Sequence, residues 1–146
     1  MRARPLVIIV ALVVSACGRV PAPAPSGPLR LLAAGGRPLP ILTHQSNPPR
    51  TLNLVAARLR PQGPDTLIVS GEFEVGDSLS ARARHSDTLY RRPWTKGTYL
   101  TEIPGAHRDM PVVVPWDVHW EGSTLVVSSE SGELLGMSGP FRFGPE

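Results

Sequence analysis

Two pairs of histidine and aspartate residues are the first side chains in this sequence that could do acid–base chemistry or bind a metal. Asp117 and His119 lie two positions apart on a predicted strand, so they project from the same face. His107 and Asp109 form a similar pair in a loop. A metal site needs three or four converging ligands, and nothing in the spacing brings the two pairs together. We therefore interpret them as solvent-facing polar residues and predict no metal site.

The segment His85-Ser86-Asp87 contains the residue types of a hydrolase triad. Neighbouring residues on a strand point to opposite faces, so these three cannot form the relay of a triad. The chain has no G-x-S-x-G elbow, and Lys96 is in no S-x-x-K motif. Glu72 and Glu74 would serve as a general acid and base only in an apolar pocket, and alternating solvent-facing charges are commoner. We predict no catalytic residues and no cofactor.

A short apolar segment, "LVIIVALVVSACG" (residues 6–18), lies near the start of the chain. Arg2 and Arg4 precede it and form a short positive head, and the small residues Ser15 and Ala16 lead into the single cysteine. Its central apolar run is too short to cross a bilayer as a helix, which needs about 20 residues. A positive head, a short apolar middle and a small-residue end are typical of an export signal.

The end of this segment resembles the lipobox of bacterial lipoprotein precursors. Val14, Ser15, Ala16 and Cys17 fill its four positions, with Val14 where the family prefers Leu. The resemblance implies diacylglyceryl transfer to the Cys17 sulfur, cleavage between Ala16 and Cys17, and acylation of the new amine by a fatty acid such as palmitate. Two or three acyl chains give durable membrane attachment. Gly18, rather than Asp, implies the outer membrane, on its periplasmic or surface side, in a cell that has one, and otherwise the outer face of the plasma membrane.

The chain is therefore predicted to have three segments. Residues 1–16 are a cleaved signal peptide, residues 17–28 are the lipid-attachment cysteine and a proline-rich stalk, and residues 29–146 are one all-β domain. Proline-rich segments favour extended polyproline II structure. Because the single cysteine is at the acylation position, the domain is expected to be stable without a disulfide.

The charge balance gives no support to nucleic-acid binding. The chain has 15 basic and 12 acidic residues, and without Arg2 and Arg4 the mature form has 13 against 12. Four arginines are candidates for a cationic patch toward anionic lipid headgroups or polysaccharide: Arg82, Arg84, Arg91 and Arg92. Since Glu72 and Glu74 are expected across the same hairpin, we favour a solvated hairpin face.

The domain alternates in polarity in the manner of β-strands. In "TLIVSGEFEV" (residues 66–75) apolar and polar residues take opposite faces, and "DSLSARARH" repeats the pattern after Gly76-Asp77, which predicts a tight hairpin. Further candidate strands are Leu29–Ala34, Leu52–Arg60, Thr98–Ile103, Val112–Trp120, Thr124–Ser129 and Phe141–Phe143. Glycine and proline turns separate them and no crossover helix intervenes. We predict an all-β antiparallel meander that forms a small barrel or a sandwich.

The inward faces of these strands define a predicted core. It consists of Leu52, Leu54, Leu67, Val69, Phe73, Val75, Leu79, Tyr99, Val112, Val114, Trp116, Val118, Leu125, Val127, Phe141 and Phe143. Pro115 cannot donate to a strand ladder, so its strand is expected to lie at an edge or to be bulged. That expectation argues against a fully closed barrel.

The order of these segments also resembles small lipocalin-like bacterial lipoproteins. A first strand is followed by "GGRPLP", a meander, "GTY", "GSTLVVSS" and a closing aromatic strand, over most of residues 29–143. The resemblance implies a ligand cavity only if the barrel closes and stays unfilled.

Two classes of function follow from these observations. The favoured one is a lipid-anchored cell-envelope protein whose domain is a non-catalytic binding or structural module for an envelope protein, a polysaccharide or a small apolar ligand. The alternative is an envelope hydrolase with a site assembled by the fold from His85, His107, Asp109, Asp117 or His119. Two of these side chains within about 4 Å of each other in a concave site would favour the enzyme.

Overall fold

A computed structural model of the chain describes residues 22–46, 49–76, 81–95, 97–103 and 112–146. Cys17, Leu79, His107 and Asp109 lie outside these residues. The described part contains one short 3₁₀ helix, η1 (Pro93–Thr95), and twelve strands: β1 (Leu29–Ala34), β2 (Arg37–Pro38), β3 (Ile41–Ser46), β4 (Pro49–Pro61), β5 (Thr66–Val75), β6 (Arg82–Tyr90), β7 (Tyr99–Ile103), β8 (Val112–Glu121), β9 (Thr124–Ser128), β10 (Glu133–Leu134), β11 (Met137–Ser138) and β12 (Phe141–Pro145). Within it, no helix has the length and apolar character needed to span a membrane.

Eight of the strands form a closed antiparallel barrel that follows the order of the chain. Each strand from β4 to β9 pairs with the next, β9 pairs with β12, β12 pairs with β1, and β1 returns to β4. Strand β2 adds a two-residue pairing to β1, and β3 pairs along its six residues with the first part of β4. The predicted all-β antiparallel meander is confirmed, and it forms a barrel rather than a sandwich.

The hairpin of β5 and β6 shows how alternation builds the wall. Buried and partly exposed residues alternate along β5, because successive side chains point into and out of the barrel. Glu72 lies opposite Arg84 and Glu74 lies opposite Arg82, as expected. The turn begins at Gly76, whose φ of 52° is in the left-handed region that favours glycine.

Large apolar side chains fill the barrel. Most of the predicted core is buried: Leu54, Leu67, Val69, Phe73, Tyr99, Val114, Trp116, Leu125, Val127, Phe141 and Phe143. Leu52, Val75 and Val118 are partly buried. The prediction for Val112 is wrong. Its side chain is 54% exposed, because the start of β8 extends past the end of β9.

Pro115 lies in the half of β8 that has one ladder partner among the described strands. Residues 112–116 pair with β7, whereas the pairing with β9 begins only at Asp117. The missing N–H is therefore tolerated at a local edge, as predicted. The expectation that Pro115 argues against closure is wrong, because the second half of β8 pairs with β9 and completes the barrel.

One end of the barrel, here called the lower end, is where β1 begins and β8 turns into β9. The indole Nε1 of Trp120 donates a hydrogen bond to the carbonyl of Pro23 at 2.9 Å, and Pro25 is buried. Residues 22–28, the part of the predicted stalk that the structure describes, therefore contact the barrel. The chain enters the domain across this end.

The opposite, upper end is closed by the hairpin of β10 and β11, here called the plug. Leu134, Leu135 and Met137 of the plug are buried in the same core as the barrel strands. Leu135 and Gly136 form its two-residue turn with φ values of 55° and 71°, and positive φ at both central residues is what a type I′ hairpin requires. The plug was not expected from the sequence.

Candidate functional site

Three polar residues of β8 form a row on the outer wall of the barrel. Asp117, His119 and Glu121 alternate with Val118 and Trp120, which pack against the core. His119 Nδ1 lies 2.9 Å from Asp117 Oδ2, and His119 Nε2 lies 3.4 Å from Glu121 Oε1. The fold therefore brings the predicted pair Asp117 and His119 into contact and adds a second carboxylate.

Arg142 of β12 completes this outer row. Its Nη1 donates to Glu121 Oε2 at 2.6 Å. Hydrogen bonds from Arg142 and His119 hold the pKa of Glu121 below its ordinary value of 4.5. Val126 lies between His119 and Arg142 in the sheet register and is only 4% exposed. The row thus covers an apolar residue on the outer wall.

This geometry does not suit a hydrolase base. A histidine that activates a hydroxyl nucleophile needs one ring nitrogen toward the hydroxyl and the other toward an orienting group. Both ring nitrogens of His119 lie near carboxylates instead, and its side chain is 40% exposed on a convex surface.

The second pair, His85 and Asp87, lies on β6 beside the plug. His85 Nε2 is 3.1 Å from Asp87 Oδ1. Ser86 points to the outer wall, where its hydroxyl lies 2.9 Å from that of Ser70. As predicted, the serine is on the opposite face from the other two residues. Asp87 Oδ2 accepts a hydrogen bond from the backbone N–H of Leu135 at 2.6 Å, so this carboxylate holds the plug in place.

The barrel interior contains few polar groups. Trp116 Nε1 donates to Thr101 Oγ1 at 3.0 Å. The hydroxyl of Tyr99 is buried and has no hydrogen-bond partner among the described residues, and burial raises the pKa of this phenol. A phenol with a raised pKa stays neutral at physiological pH, so Tyr99 does not supply a base.

Metal ligands do not converge in the part of the chain that the structure describes. No group of three His, Cys, Asp or Glu residues there is placed to hold an ion. Two of the five histidine and aspartate candidates, His107 and Asp109, lie outside the described residues. Of the other three, Asp117 and His119 lie on the outer wall, and His85 lies at the edge of the plug.

The four arginines considered as candidates for a cationic patch lie at the two ends of β6 and do not form one surface: Arg82, Arg84, Arg91 and Arg92. Arg84 Nη2 is 3.0 Å from Glu72 Oε1, which agrees with a solvated hairpin face. At the other end, Arg91 Nη2 donates to the carbonyl of Pro64 at 2.6 Å, and its Nε lies 3.3 Å from Asp65 Oδ1. Arg91 therefore ties two loops of the lower end together.

A different arginine group, here called the seam cluster, forms where the barrel closes. It consists of Arg30, Arg58 and Arg60, all exposed. Arg30 of β1 and Arg58 of β4 are direct register partners, and Arg60 is the next outward residue of β4. Sequence reasoning missed this cluster, because its members lie on separate strands that only barrel closure brings together. The one local signal is that each arginine alternates with buried apolar residues.

No family model, curated protein or solved structure matches this chain. The fold and its polar groups therefore define only a class of protein. It is a closed eight-stranded antiparallel barrel with an apolar, side-chain-filled interior and with its charged clusters on the outside.

Proposed function

We propose that the chain is a lipid-anchored protein of the cell envelope whose barrel is a non-catalytic binding or structural module. Residues 1–16 would direct export, and Cys17 would carry the acyl chains after cleavage from Ala16. The lipobox-like ending of the apolar segment supports this anchor. Gly18 favours the outer membrane where the cell has one.

The observation that carries the module proposal is the filled interior. Trp116, Phe141 and Phe143 are at most 1% exposed within the barrel, and the plug adds three buried side chains at the upper end. A small apolar ligand would need that space, whereas a protein or polysaccharide would need only the outer surface. We therefore propose an envelope protein or polysaccharide as the partner, in place of a small apolar ligand.

The hydrolase alternative has less support. One pair of its candidate residues comes within 4 Å, Asp117 with His119, and a second contact joins the candidate His85 to Asp87, which is not a candidate. In the second contact the serine of the segment, Ser86, points to the opposite face of the strand. The first is on a convex wall, and in the second Asp87 is also bound to the plug.

Mass spectrometry of the full chain, expressed in a bacterium and extracted from its membranes, tests the anchor. We expect a mature N-terminus at Cys17 that carries diacylglyceryl and amide-linked acyl groups. Cys17→Ser is the control, and it should yield no acylated species. A wild-type chain with an unmodified Cys17, or with its mature N-terminus elsewhere, would refute the anchor.

A pull-down from intact envelopes tests the module. Wild-type chain and the His85→Ala/His119→Ala double variant should recover the same partner, because neither histidine is proposed to do chemistry. Release of cleaved envelope polysaccharide or peptide by wild type, but not by the double variant, would favour the hydrolase instead.

A further inference from the structure

Charge is distributed unequally between the two ends of the barrel. Near the lower end, three acidic residues of the described chain each contact an arginine: Asp65 with Arg91, Glu121 with Arg142, and Glu146 with Arg58. Asp117 contacts His119. Neither Arg30 nor Arg60 has an ion pair among the described residues. Toward the upper end the described chain carries a small excess of acidic residues: Glu72, Glu74, Asp87, Glu102, Glu130 and Glu133, against Arg37, Arg50, Arg82 and Arg84.

The seam cluster places like charges next to each other at the closing contact. Arg30 and Arg58 lie directly opposite in a pairing of only two residue pairs, the other being Leu29 with Leu59. Like charges directly opposite in a sheet destabilise it. Glu146 Oε1, at 2.7 Å from Arg58 Nε, offsets only part of this positive charge. An arrangement that breaks a rule of sheet pairing without full compensation is typical of a functional surface.

The path of the chain places this surface near the proposed anchor. Pro23 is hydrogen-bonded to Trp120 at the lower end. From Cys17 to Pro23 the chain reaches at most about 20 Å, even when fully extended. An acylated Cys17 therefore keeps the lower end, and not the plugged upper end, beside the membrane surface.

We infer that the seam cluster of Arg30, Arg58 and Arg60 docks the barrel on anionic phospholipid headgroups. Guanidinium groups bind phosphate oxygens through paired, charge-assisted hydrogen bonds. The docked barrel would turn its acidic upper end away from the bilayer, toward partners in the envelope. This inference rests on the proposed lipid anchor, since the tether selects which end meets the membrane.

The test uses the full acylated chain with a single fluorophore on an introduced cysteine. The labelling is selective for that cysteine, because Cys17 is blocked by acylation. Gln62→Cys reports on the lower end and Ser138→Cys on the upper end, and both positions are exposed. The chain is reconstituted into phosphatidylcholine vesicles with or without phosphatidylglycerol, and energy transfer to a headgroup-attached acceptor is measured. We expect phosphatidylglycerol to increase transfer from position 62 but not from position 138. High salt should reverse the increase, because it screens the charges.

Charge variants then assign the effect to the cluster. Each basic residue near an anionic leaflet is worth about 1 kcal/mol, which is about fivefold in the ratio of docked to undocked protein, so R30Q/R58Q/R60Q should lower that ratio about a hundredfold. R37Q/R82Q/R84Q removes the same charge from the upper end and should leave the ratio of docked to undocked protein unchanged. E146Q should raise this ratio, because it removes the carboxylate that pairs with Arg58. Because Arg30 and Arg58 repel each other, the seam variant should fold, which circular dichroism checks.

Failure of the docking and failure of the anchor give different results. Flotation of the vesicles on a density gradient shows whether the chain is bound to them. If the chain floats with both kinds of vesicle, but energy transfer from position 62 changes neither with lipid charge nor in R30Q/R58Q/R60Q, the docking is refuted and the anchor stands. If it floats only with anionic vesicles, the anchor is refuted and the docking stands. If it floats with neither, both are refuted. If position 62 does not respond to phosphatidylglycerol, and the wild-type chain on neutral vesicles binds soluble polygalacturonate while R30Q/R58Q/R60Q does not, the cluster is assigned to polysaccharide and the proposal is overturned.

Discussion

The carboxylate of Asp87 accepts a hydrogen bond from the backbone N–H of Leu135, 48 residues later in the chain, at 2.6 Å. Leu135 has a φ of 55°, which costs a residue other than glycine about 1–2 kcal/mol. Its side chain is 3% exposed, and burial of a leucine returns about 1.5–3 kcal/mol. The plug is thus held by an apolar contact and by one charged acceptor on the barrel wall.

Asp87→Ala should lower the free energy of unfolding by about 1–3 kcal/mol, because it removes the acceptor of a partly buried N–H. Asp87→Asn keeps an oxygen at this position and should lose less. Urea unfolding measures the free energy, and hydrogen exchange of the peptide that contains Leu135 shows whether the plug itself opens. Unchanged exchange and stability in Asp87→Ala would show that the bond does not hold the plug.

Removal of the buried hydroxyl of Tyr99, unlike removal of the Asp87 carboxylate, should not destabilise the fold. The hydroxyl has no partner among the described residues, so Tyr99→Phe should leave the free energy of unfolding unchanged or raise it by about 1 kcal/mol. Thr101→Val is the matched comparison. It removes the acceptor of Trp116 Nε1 in the same core and should cost about 1–3 kcal/mol. A large loss of stability in Tyr99→Phe would mean that the phenol is bonded.

The barrel wall could be predicted because alternation is a local property of the sequence. The strands β1 and β5 begin and end where the patterns "LRLLAA" and "TLIVSGEFEV" do, and β8 and β9 each differ from their predicted bounds by one residue. Each inward residue of these strands is identified by its own neighbours in the chain. The closure of β1 on β4 has no such local signal.

The plug and the seam cluster could not be predicted for that reason. The plug residues Leu134 and Leu135 are adjacent apolar residues within a turn-rich segment, and no period marks them as core. Their burial depends on the open upper end of the barrel, which exists only after the strands have assembled. Arg30 and Arg58 likewise become neighbours only through the register of the closing pair.

A glycine before the plug should tolerate no side chain. A Cβ at Gly132 would lie 2.5 Å from Trp116 Cζ2 and 2.8 Å from Val114 Cγ1, both buried. Gly132→Ala should therefore lower the free energy of unfolding by about 1–3 kcal/mol through overpacking. Gly27→Ala is the control, since no atom lies within 4 Å of its Cβ. Equal denaturant midpoints for the two variants would contradict the close packing of the plug against β8.

The outer row of β8 predicts an acid-dependent contribution to stability. Hydrogen bonds from Arg142 and His119 lower the pKa of Glu121 in the folded state below 4.5. The ionised carboxylate therefore stabilises the fold above pH 4.5, and that contribution is lost as pH falls through the lowered pKa. Glu121→Gln should be less stable than wild type at neutral pH, and the difference should shrink at acidic pH. Urea unfolding across this range measures it, with the exposed Glu130→Gln as a control that should follow wild type. A difference that persists unchanged into strong acid would show that Glu121 acts by packing and not by charge.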